Sequence, residues 1–215
     1  FTSSNYFKFF LSTLIVLPIL ILLILQPDIG QTLLITSVLL SLIFVSGINL
    51  YLLSFFLLLS FSILGYLVFY LPKFSYIKSR IISFFDVSSK GNYQSQKATE
   101  AIVDGGFFGK GIGEGTLNTR VPEAHTDYVI AVISEEYGSL AAIIILIIFL
   151  YISFRIIKNC FNQENQFLKI SLSGLATLLI FQTFIHAGVN TNLLPTTGMT
   201  LPFLSYGGSS IVSTA

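Results

Sequence analysis

The stretch YVIAVISEEYGSLAAIIILIIFLYISF, residues 128–154, is a long apolar run that contains two adjacent glutamates, Glu135 and Glu136. A membrane-spanning helix needs roughly 20 mostly apolar residues, so the run predicts one. A charge near the bilayer centre costs about 2.5–3.5 kcal/mol on insertion scales. The two glutamates are therefore candidates for a functional role, the alternative being a structural polar contact to another helix.

Similar apolar runs occur along the rest of the chain. The protein has 215 residues, of which 53% are hydrophobic and 10% charged, whereas about 25% are charged in a typical soluble domain. We expect an all-α polytopic membrane protein made of a single membrane domain, residues 1–215. Its predicted helices cover about 9–25, 31–46, 49–71, 128–154 and 168–189, and another begins near 208. In the first joint, QPDIG (26–30), Asp28 is a candidate N-cap of the second helix.

The segments between these helices predict the orientation in the membrane. Basic residues in short loops favour the cytoplasmic side, and helix alternation places Lys8 on the same side as the loop 155–167 with Arg155 and Lys158. The polar segment 72–127 and residues 190–207 then face the opposite, extracytoplasmic side. A loop as long as 72–127 usually carries function.

Several classes of function have little support. The net charge of +1 and the absence of a basic run argue against nucleic-acid binding. The single cysteine, Cys160, excludes an intrachain disulfide and has no neighbouring Cys or His for a metal site. The glycines of the long loop match neither GxxxxGK[ST] nor GxGxxG, so a nucleotide-binding loop is not supported.

Asp127 stands at the outer end of the 128–154 helix and has two open interpretations. On a continuous helix, Ala131, Ser134 and Gly138 fall within about 40° of it, a small and polar stripe typical of helix contact or a cavity wall. Glu135 lies about 80° away and deeper. Asp127 is either the N-cap of this helix or a functional carboxylate.

Two outward segments flank this helix in the sequence. In the long loop, Tyr93 to Val103 predicts a helix, and six glycines follow between 105 and 115. Their backbone N–H groups, with Lys110 and Arg120, could hold a phosphate, although a mobile loop is the commoner explanation. The proline- and glycine-rich segment 193–210 predicts a broken element beside a cavity. We interpret His186, just before it, as a packing residue rather than a proton carrier.

Three motifs resemble those of a known family. YQSQKATEAIVDGGFFGKGIGEGT (93–116), PEAHTDYVIAVISEEYG (122–138) and GMTLPFLSYGGSS (198–210) are similar to the SEDS (shape, elongation, division and sporulation) proteins, which include FtsW, RodA and SpoVE. QPDIG matches an earlier motif of that family. GEGT and TTGMTLPF are more similar to the division member, FtsW, than to RodA. One departure is His186, where the family pattern has Asn.

The resemblance implies a ten-helix inner-membrane glycosyltransferase, present here as its C-terminal portion and inactive by itself. It implies that the protein polymerises lipid II at the septum with a class B penicillin-binding protein and other division proteins. The HTD aspartate, Asp127, becomes the candidate catalytic residue. Weaker candidates for substrate binding are Lys110, Arg120, His125, Gly111, Gly113 and Ser205, and candidate supporting residues are Glu135, Ser134 and Gln94.

The implied reaction needs a base for the acceptor sugar hydroxyl and stabilisation of a leaving lipid diphosphate. We expect Asp127 to be the base. Lys110 and Arg120 would neutralise the diphosphate, alone or with a divalent ion such as Mg²⁺ or Mn²⁺, and no tightly bound cofactor is expected. A lipid II flippase is the rival interpretation, since intramembrane carboxylates and broken segments also suit a transporter. A non-catalytic division scaffold is the third.

Overall fold

The computed structural model describes residues 3–26, 28–70, 74–85, 93–121 and 124–206, and regular structure within these ranges is entirely helical. Ten helices follow one another in the described chain: α1 (Ser3–Leu25), α2 (Ile29–Val45), α3 (Leu50–Tyr70), α4 (Ser75–Phe85), α5 (Tyr93–Gly105), α6 (Leu117–Arg120), α7 (Ala124–Asp127), α8 (Val129–Tyr137), α9 (Ser139–Phe161) and α10 (Gln166–Asn190). Helices therefore occupy all five predicted apolar runs. The helix expected near 208 lies outside the described residues.

The run 128–154 is not one continuous helix. Gly138 has φ 91° and ψ 161°, a conformation outside the helical region, and it separates α8 from α9. By length and composition, α9 and α10 are apolar enough to cross a membrane. The candidate span thus begins at Ser139 rather than at the predicted residue 128, and both Glu135 and Glu136 precede it.

The predicted loops also contain more helix than expected. The segment 72–127 includes α4 through α7, and the helix predicted for residues 93–103 is confirmed as α5. The polar segment 155–167 narrows to residues 162–165, because α9 continues to Phe161 and α10 starts at Gln166. Helices α4 through α7 were missed because short amphipathic or polar helices lack the apolar length by which spans are recognised, and the polar ends of α9 and α10 were missed because they lie outside the apolar runs.

The chain divides into two compact units, of which the first comprises Phe1–Lys78 and Ile156–Leu178. In it α1 packs on α2, and α2 on α3. The predicted N-cap is confirmed, since the Asp28 carboxylate accepts a hydrogen bond of 3.0 Å from the Gln31 backbone N–H. Gly174 of α10 packs so close to α2 that an added Cβ would lie 2.9 Å from the Leu42 side chain.

The second unit comprises Ser79–Arg155 and Leu179–Ala215. Its apolar core contains Ile130 of α8, Ala142 and Phe149 of α9, and Leu201 of the segment that follows α10. α5 packs along α8 through small buried side chains on both helices: Ser95, Ala98, Ala101, Ala131 and Ser134. Small residues allow the two backbones to approach closely, which positions the candidate site at the N-terminal end of α8.

Candidate functional site

Asp127 closes the short turn α7 and is not the N-cap of α8. Tyr128, at φ −122° and ψ 30°, occupies that position and makes no side-chain capping bond. The helical path is therefore interrupted between Asp127 and Val129, and angles extrapolated from α8 back to Asp127 do not hold. The Asp127 carboxylate instead faces the segment after α10, where its Oδ2 would lie 3.8 Å from a Cβ added to Gly198.

A fully buried amide on α10 holds the Asp127 backbone. The Asn190 side-chain NH₂ donates to the Asp127 carbonyl at 3.0 Å and to the His186 carbonyl at 2.8 Å. Its oxygen accepts the Ala131 N–H at 3.0 Å. Since Asn190 is 0% exposed, leaving any of these groups unpaired would cost roughly 1–3 kcal/mol. This amide thus fixes the interruption between α7 and α8.

The segment 191–206 forms hydrogen bonds with the turn at residues 125–127, which we call the HTD turn. The Ser205 hydroxyl donates to the Thr126 carbonyl at 2.7 Å and accepts the Leu201 N–H at 2.8 Å. The Tyr206 N–H donates to the His125 carbonyl at 3.1 Å. Ser205, a predicted substrate-binding residue, is buried and serves as a backbone support in the described structure. These bonds attach the turn that carries Asp127 to the segment after α10.

Arg80 of α4 joins the same region. Its Nη1 donates to the Thr196 carbonyl at 2.9 Å. Burial raises the pKa of the Tyr128 hydroxyl, and the negative charge of Asp127 raises this pKa further. A hydrogen bond with Ser95 and the positive charge of Arg80 both lower it, but the net pKa is raised. The charges of Asp127 and Arg80 therefore both affect the pKa of the Tyr128 hydroxyl. A carboxylate and a guanidinium thus lie near the same side chain.

Glu135 is a second carboxylate with a different environment. It is 1% exposed, and its oxygens accept the Thr116 N–H at 2.9 Å, the Thr116 hydroxyl at 3.1 Å and the Leu117 N–H at 2.9 Å. The Lys110 ammonium lies 3.4 Å away. Burial alone would raise the pKa of Glu135, but these hydrogen bonds outweigh it and lower the pKa. Glu135 thus acts as a buried anion that organises the glycine-rich loop.

The glycine-rich loop is packed and does not present a free phosphate nest at its centre. The Lys110 N–H donates to the Glu135 carbonyl at 2.9 Å, and the Gly111 N–H donates to the Glu136 carbonyl at 3.1 Å. The loop therefore caps the last carbonyls of α8, which have no partner inside the helix. Gly109 and Gly138 permit this contact, because a Cβ on either would lie close to 2 Å from a backbone oxygen. The N–H groups of Lys110 and Gly111 are therefore engaged in capping α8, and phosphate binding by the loop stays a prediction.

The two predicted cations have different surroundings. The Lys110 ammonium pairs with Asp104 at 3.3 Å as well as with Glu135. Partial burial would lower the pKa of Lys110, but the hydrogen bonds to these two carboxylates raise it. Arg120 is exposed and borders a pocket of about 10 Å³ that Glu100 and Asp104 also line. The Lys110 ammonium therefore forms a cluster with Asp104 and Glu135, which we call the Glu135 cluster. The Arg120 side chain is exposed to solvent.

The other predicted residues are spread over this unit. His125 and Gln94 are exposed. Ser134 is buried, and its hydroxyl donates to the Ile130 carbonyl at 2.8 Å. Gly113, at φ 79°, has open space where a side chain would project. The structure thus brings Ser205 to the HTD turn and Lys110 to Glu135, and gives no contact that joins Gln94 or Gly113 to either carboxylate.

The described residues offer no preformed protein site for a divalent ion. Among them, no group of three or more His, Cys, Asp or Glu residues is arranged to hold a metal. Mg²⁺ is often bound through one or two carboxylates plus substrate phosphates, so a metal held partly by substrate would need fewer protein ligands than such a group.

Sequence reasoning missed Asn190 and Arg80 as site residues. Asn190 lies 63 residues from Asp127, and only its polarity near the end of an apolar helix signals a role. Arg80 stands among seven Lys and Arg residues of the segment 72–127, so its charge alone does not distinguish it. Its amphipathic helix, α4, is the remaining signal.

The chain is similar to known proteins in sequence and in fold. The family described as "Cell cycle protein", FtsW/RodA/SpoVE, matches residues 2–215. Proteins named "Probable peptidoglycan glycosyltransferase FtsW" are 33% identical in Caulobacter vibrioides, over 89% of this chain and 48% of that protein, and 38% identical in Buchnera aphidicola, over 97% and 56%. The chain spans about half the length of the curated relatives it matches.

A solved structure shares the fold. It is described as "Structural coordination of polymerization and crosslinking by a peptidoglycan synthase complex". The match has a TM-score of 0.74 at 28% sequence identity, and it covers 94% of this chain and 56% of the solved one. With a family match over nearly all its residues, the chain belongs to the FtsW/RodA/SpoVE family of cell cycle proteins.

Proposed function

We propose that the protein carrying this chain is a peptidoglycan glycosyltransferase that polymerises lipid II into glycan strands and releases undecaprenyl diphosphate. The names of its relatives and the description of the solved complex support this activity. The observation that carries the proposal is the environment of Asp127, a carboxylate beside Gly198 on a turn that is held by hydrogen bonds from Asn190 and Ser205.

In this mechanism the 4-hydroxyl of the acceptor sugar attacks the anomeric carbon of the donor. The bond from that carbon to the diphosphate breaks, and the diphosphate leaves with its electron pair. Asp127 takes the hydroxyl proton as the bond forms, a role that typically contributes about 10²–10⁴-fold to the rate. Gly198 places no side chain against the carboxylate, where a Cβ would lie in van der Waals contact at 3.8 Å from Oδ2.

Rigid support of the turn matters because a base must be held at hydrogen-bonding distance from the proton it removes. Asn190 and Ser205 bind the Asp127 and Thr126 carbonyls and not the carboxylate. They therefore restrain the backbone of the turn without themselves occupying the carboxylate. Glu135, with its oxygens bound to Thr116 and Leu117, is assigned to architecture rather than to proton transfer.

Stabilisation of the leaving diphosphate requires positive charge. Arg120 is the better of the two predicted cations, because it is exposed. The ammonium of Lys110 already faces two carboxylates. We propose Arg120 as a diphosphate contact, to be tested by charge removal at Arg120 and measurement of donor affinity.

The same proposal extends to location and partners. The protein would reside in the bacterial inner membrane at the septum, with the HTD turn on the extracytoplasmic side, where the sugars of lipid II are polymerised. A class B penicillin-binding protein would crosslink the product, and other division proteins would be further partners. The description of the solved relative as a complex of polymerization and crosslinking supports such a partner.

The test uses the intact protein with its penicillin-binding partner and labelled lipid II, with and without Asp127→Asn. Glycan ladders that appear on a gel and vanish in the variant, with the complex intact, support the polymerase. A flippase would instead move labelled lipid II between liposome leaflets without lengthening it. A scaffold would make no ladder itself and would tolerate Asp127→Asn in cells.

A further inference from the structure

The glycine-rich loop exposes three large apolar side chains at its tip. Phe107, Phe108 and Ile112 are 70%, 86% and 76% exposed, and together they form what we call the loop tip. Exposed apolar side chains that lie close together in the chain are candidates for contact with a protein, a ligand or a membrane. Neither the proposed reaction nor the packing of α8 uses these side chains.

The backbone beneath the loop tip is firmly attached to the start of α9. The Ser139 N–H donates to the Gly106 carbonyl at 2.9 Å, and the Gly109 N–H donates to the Gly105 carbonyl at 2.8 Å. A Cβ on Gly138 would lie 2.1 Å from the Phe107 carbonyl oxygen, so the two backbones are in direct contact. The exposed rings are therefore held beside the junction of α8 and α9.

That junction is where the candidate membrane span begins. α9 has 23 residues, which at 1.5 Å per residue reach about 34 Å, slightly more than the roughly 30 Å hydrocarbon core. Its exposed side chains form an apolar face from the first turn onward: Leu140, Ile143, Ile144, Ile147 and Ile148. Such a face suits lipid. The loop tip thus lies at the level where a lipid-facing surface starts.

We infer that the loop tip inserts Phe107, Phe108 and Ile112 into the interfacial layer of the bilayer beside the N-terminal end of α9. Lipid is favoured over a protein occupant because the hydrogen bond from Ser139 to Gly106 attaches the tip to the start of a candidate span whose exposed side chains are apolar. Interfacial amphipathic helices carry Trp, Phe and Leu on the face that enters the bilayer. The insertion would hold the glycine-rich loop, and through it the Glu135 cluster, at a fixed height over the membrane.

Tryptophan fluorescence in the intact protein tests the inference, because this chain contains no tryptophan and the signal of the unsubstituted protein can be subtracted. Phe108→Trp is compared with two references, Glu164→Trp in the polar segment 162–165 and Ile147→Trp within α9. Each variant is reconstituted in vesicles of phosphatidylcholine and phosphatidylglycerol that are brominated either near the headgroup or near the chain end. Iodide reports water exposure.

The inference predicts that Phe108→Trp loses most fluorescence with lipid brominated near the headgroup. Ile147→Trp should lose most with lipid brominated near the chain end, and Glu164→Trp should respond to iodide alone. Iodide quenching of Phe108→Trp without quenching by either brominated lipid would overturn the inference. If the tryptophan became shielded from iodide only after the partner protein was added, the tip would be a protein contact and the inference would again be wrong.

Discussion

Replacement of Glu135 by Gln removes a buried charge while almost keeping the side-chain shape. The wild-type carboxylate accepts N–H groups of Thr116 and Leu117 at 2.9 Å on different oxygens. A Gln amide has one oxygen, so its NH₂ must face one of these donors and leave that N–H unpaired. An unpaired buried donor costs roughly 1–3 kcal/mol, and hydrogen bonds to a charged group are worth about 1.5–3 kcal/mol. Loss of the ion pair between Glu135 and Lys110 adds little to this cost, because the Lys110 side chain is partly exposed to solvent.

We therefore expect Glu135→Gln to weaken the local structure by about 2–4 kcal/mol, or roughly 30- to 700-fold in local opening at 1.4 kcal/mol per tenfold. Hydrogen–deuterium exchange of the backbone amides at residues 110–117 measures this directly. The neighbouring Glu136→Gln is the matched control, since the glutamate side chain there is partly exposed and the same chemistry is changed. Equal acceleration of exchange in both variants, or none in Glu135→Gln, would refute the role assigned to Glu135.

Three further predictions concern packing, the buried amide and pH. Gly105→Ala would place a Cβ 2.1 Å from the Ser134 carbonyl oxygen, so α5 and α8 must separate and the protein should lose about 1–3 kcal/mol of stability, read as a lower thermal midpoint. Asn190→Ala leaves buried backbone groups unpaired and should lower both stability and polymerase rate, whereas Thr191→Ala, beside it and exposed, should change neither appreciably. The folded-state pKa of Glu135 is lowered, so the stability that its charge contributes is present above its unfolded pKa of about 4.3 and is lost as the pH falls through the folded value. The thermal midpoint should therefore depend less on pH in the acid range in Glu135→Gln than in the unsubstituted protein.

Each of these predictions has an outcome that contradicts it. Gly65 of α3 has open space for a Cβ, so a Gly65→Ala variant as unstable as Gly105→Ala would argue against the close contact. An Asn190→Ala protein that kept its full rate would show that the amide does not support the Asp127 turn. An unchanged acid titration in Glu135→Gln would mean that another group controls acid stability.

Local features of this fold could be predicted from the sequence, because their causes lie within a few residues. The apolar runs identify α1, α2, α3 and α10 by length, and Asp28 caps α2 through a residue three positions away. The break at Gly138 could not be found in this way. Its backbone conformation accompanies contact with Phe107, about thirty residues earlier in the chain, so no local pattern distinguishes it from a glycine inside a spanning helix.

The candidate site shows the same limit. Asp127 was identifiable because its motif is local and resembles a known family. The residues that support it come from distant parts of the chain: Asn190 is 63 positions away, and Ser205 binds Thr126 across 79 positions. Helix geometry also assigned Glu135 a place near Asp127, but the interruption at Tyr128 removes that relation. Hydrogen bonds, which periodicity does not encode, decide the separate roles of the two carboxylates.

We propose that Asp127 performs chemistry while Glu135 maintains structure. The most direct measurement compares Asp127→Asn and Glu135→Gln in the intact protein with its partner, recording the initial rate of lipid II polymerisation and the thermal midpoint of each. We expect Asp127→Asn to lose about 10²–10⁴-fold in rate with an unchanged midpoint, whereas Glu135→Gln should lower the midpoint. A normal rate in Asp127→Asn, or a loss of rate that only follows a loss of stability, would contradict it.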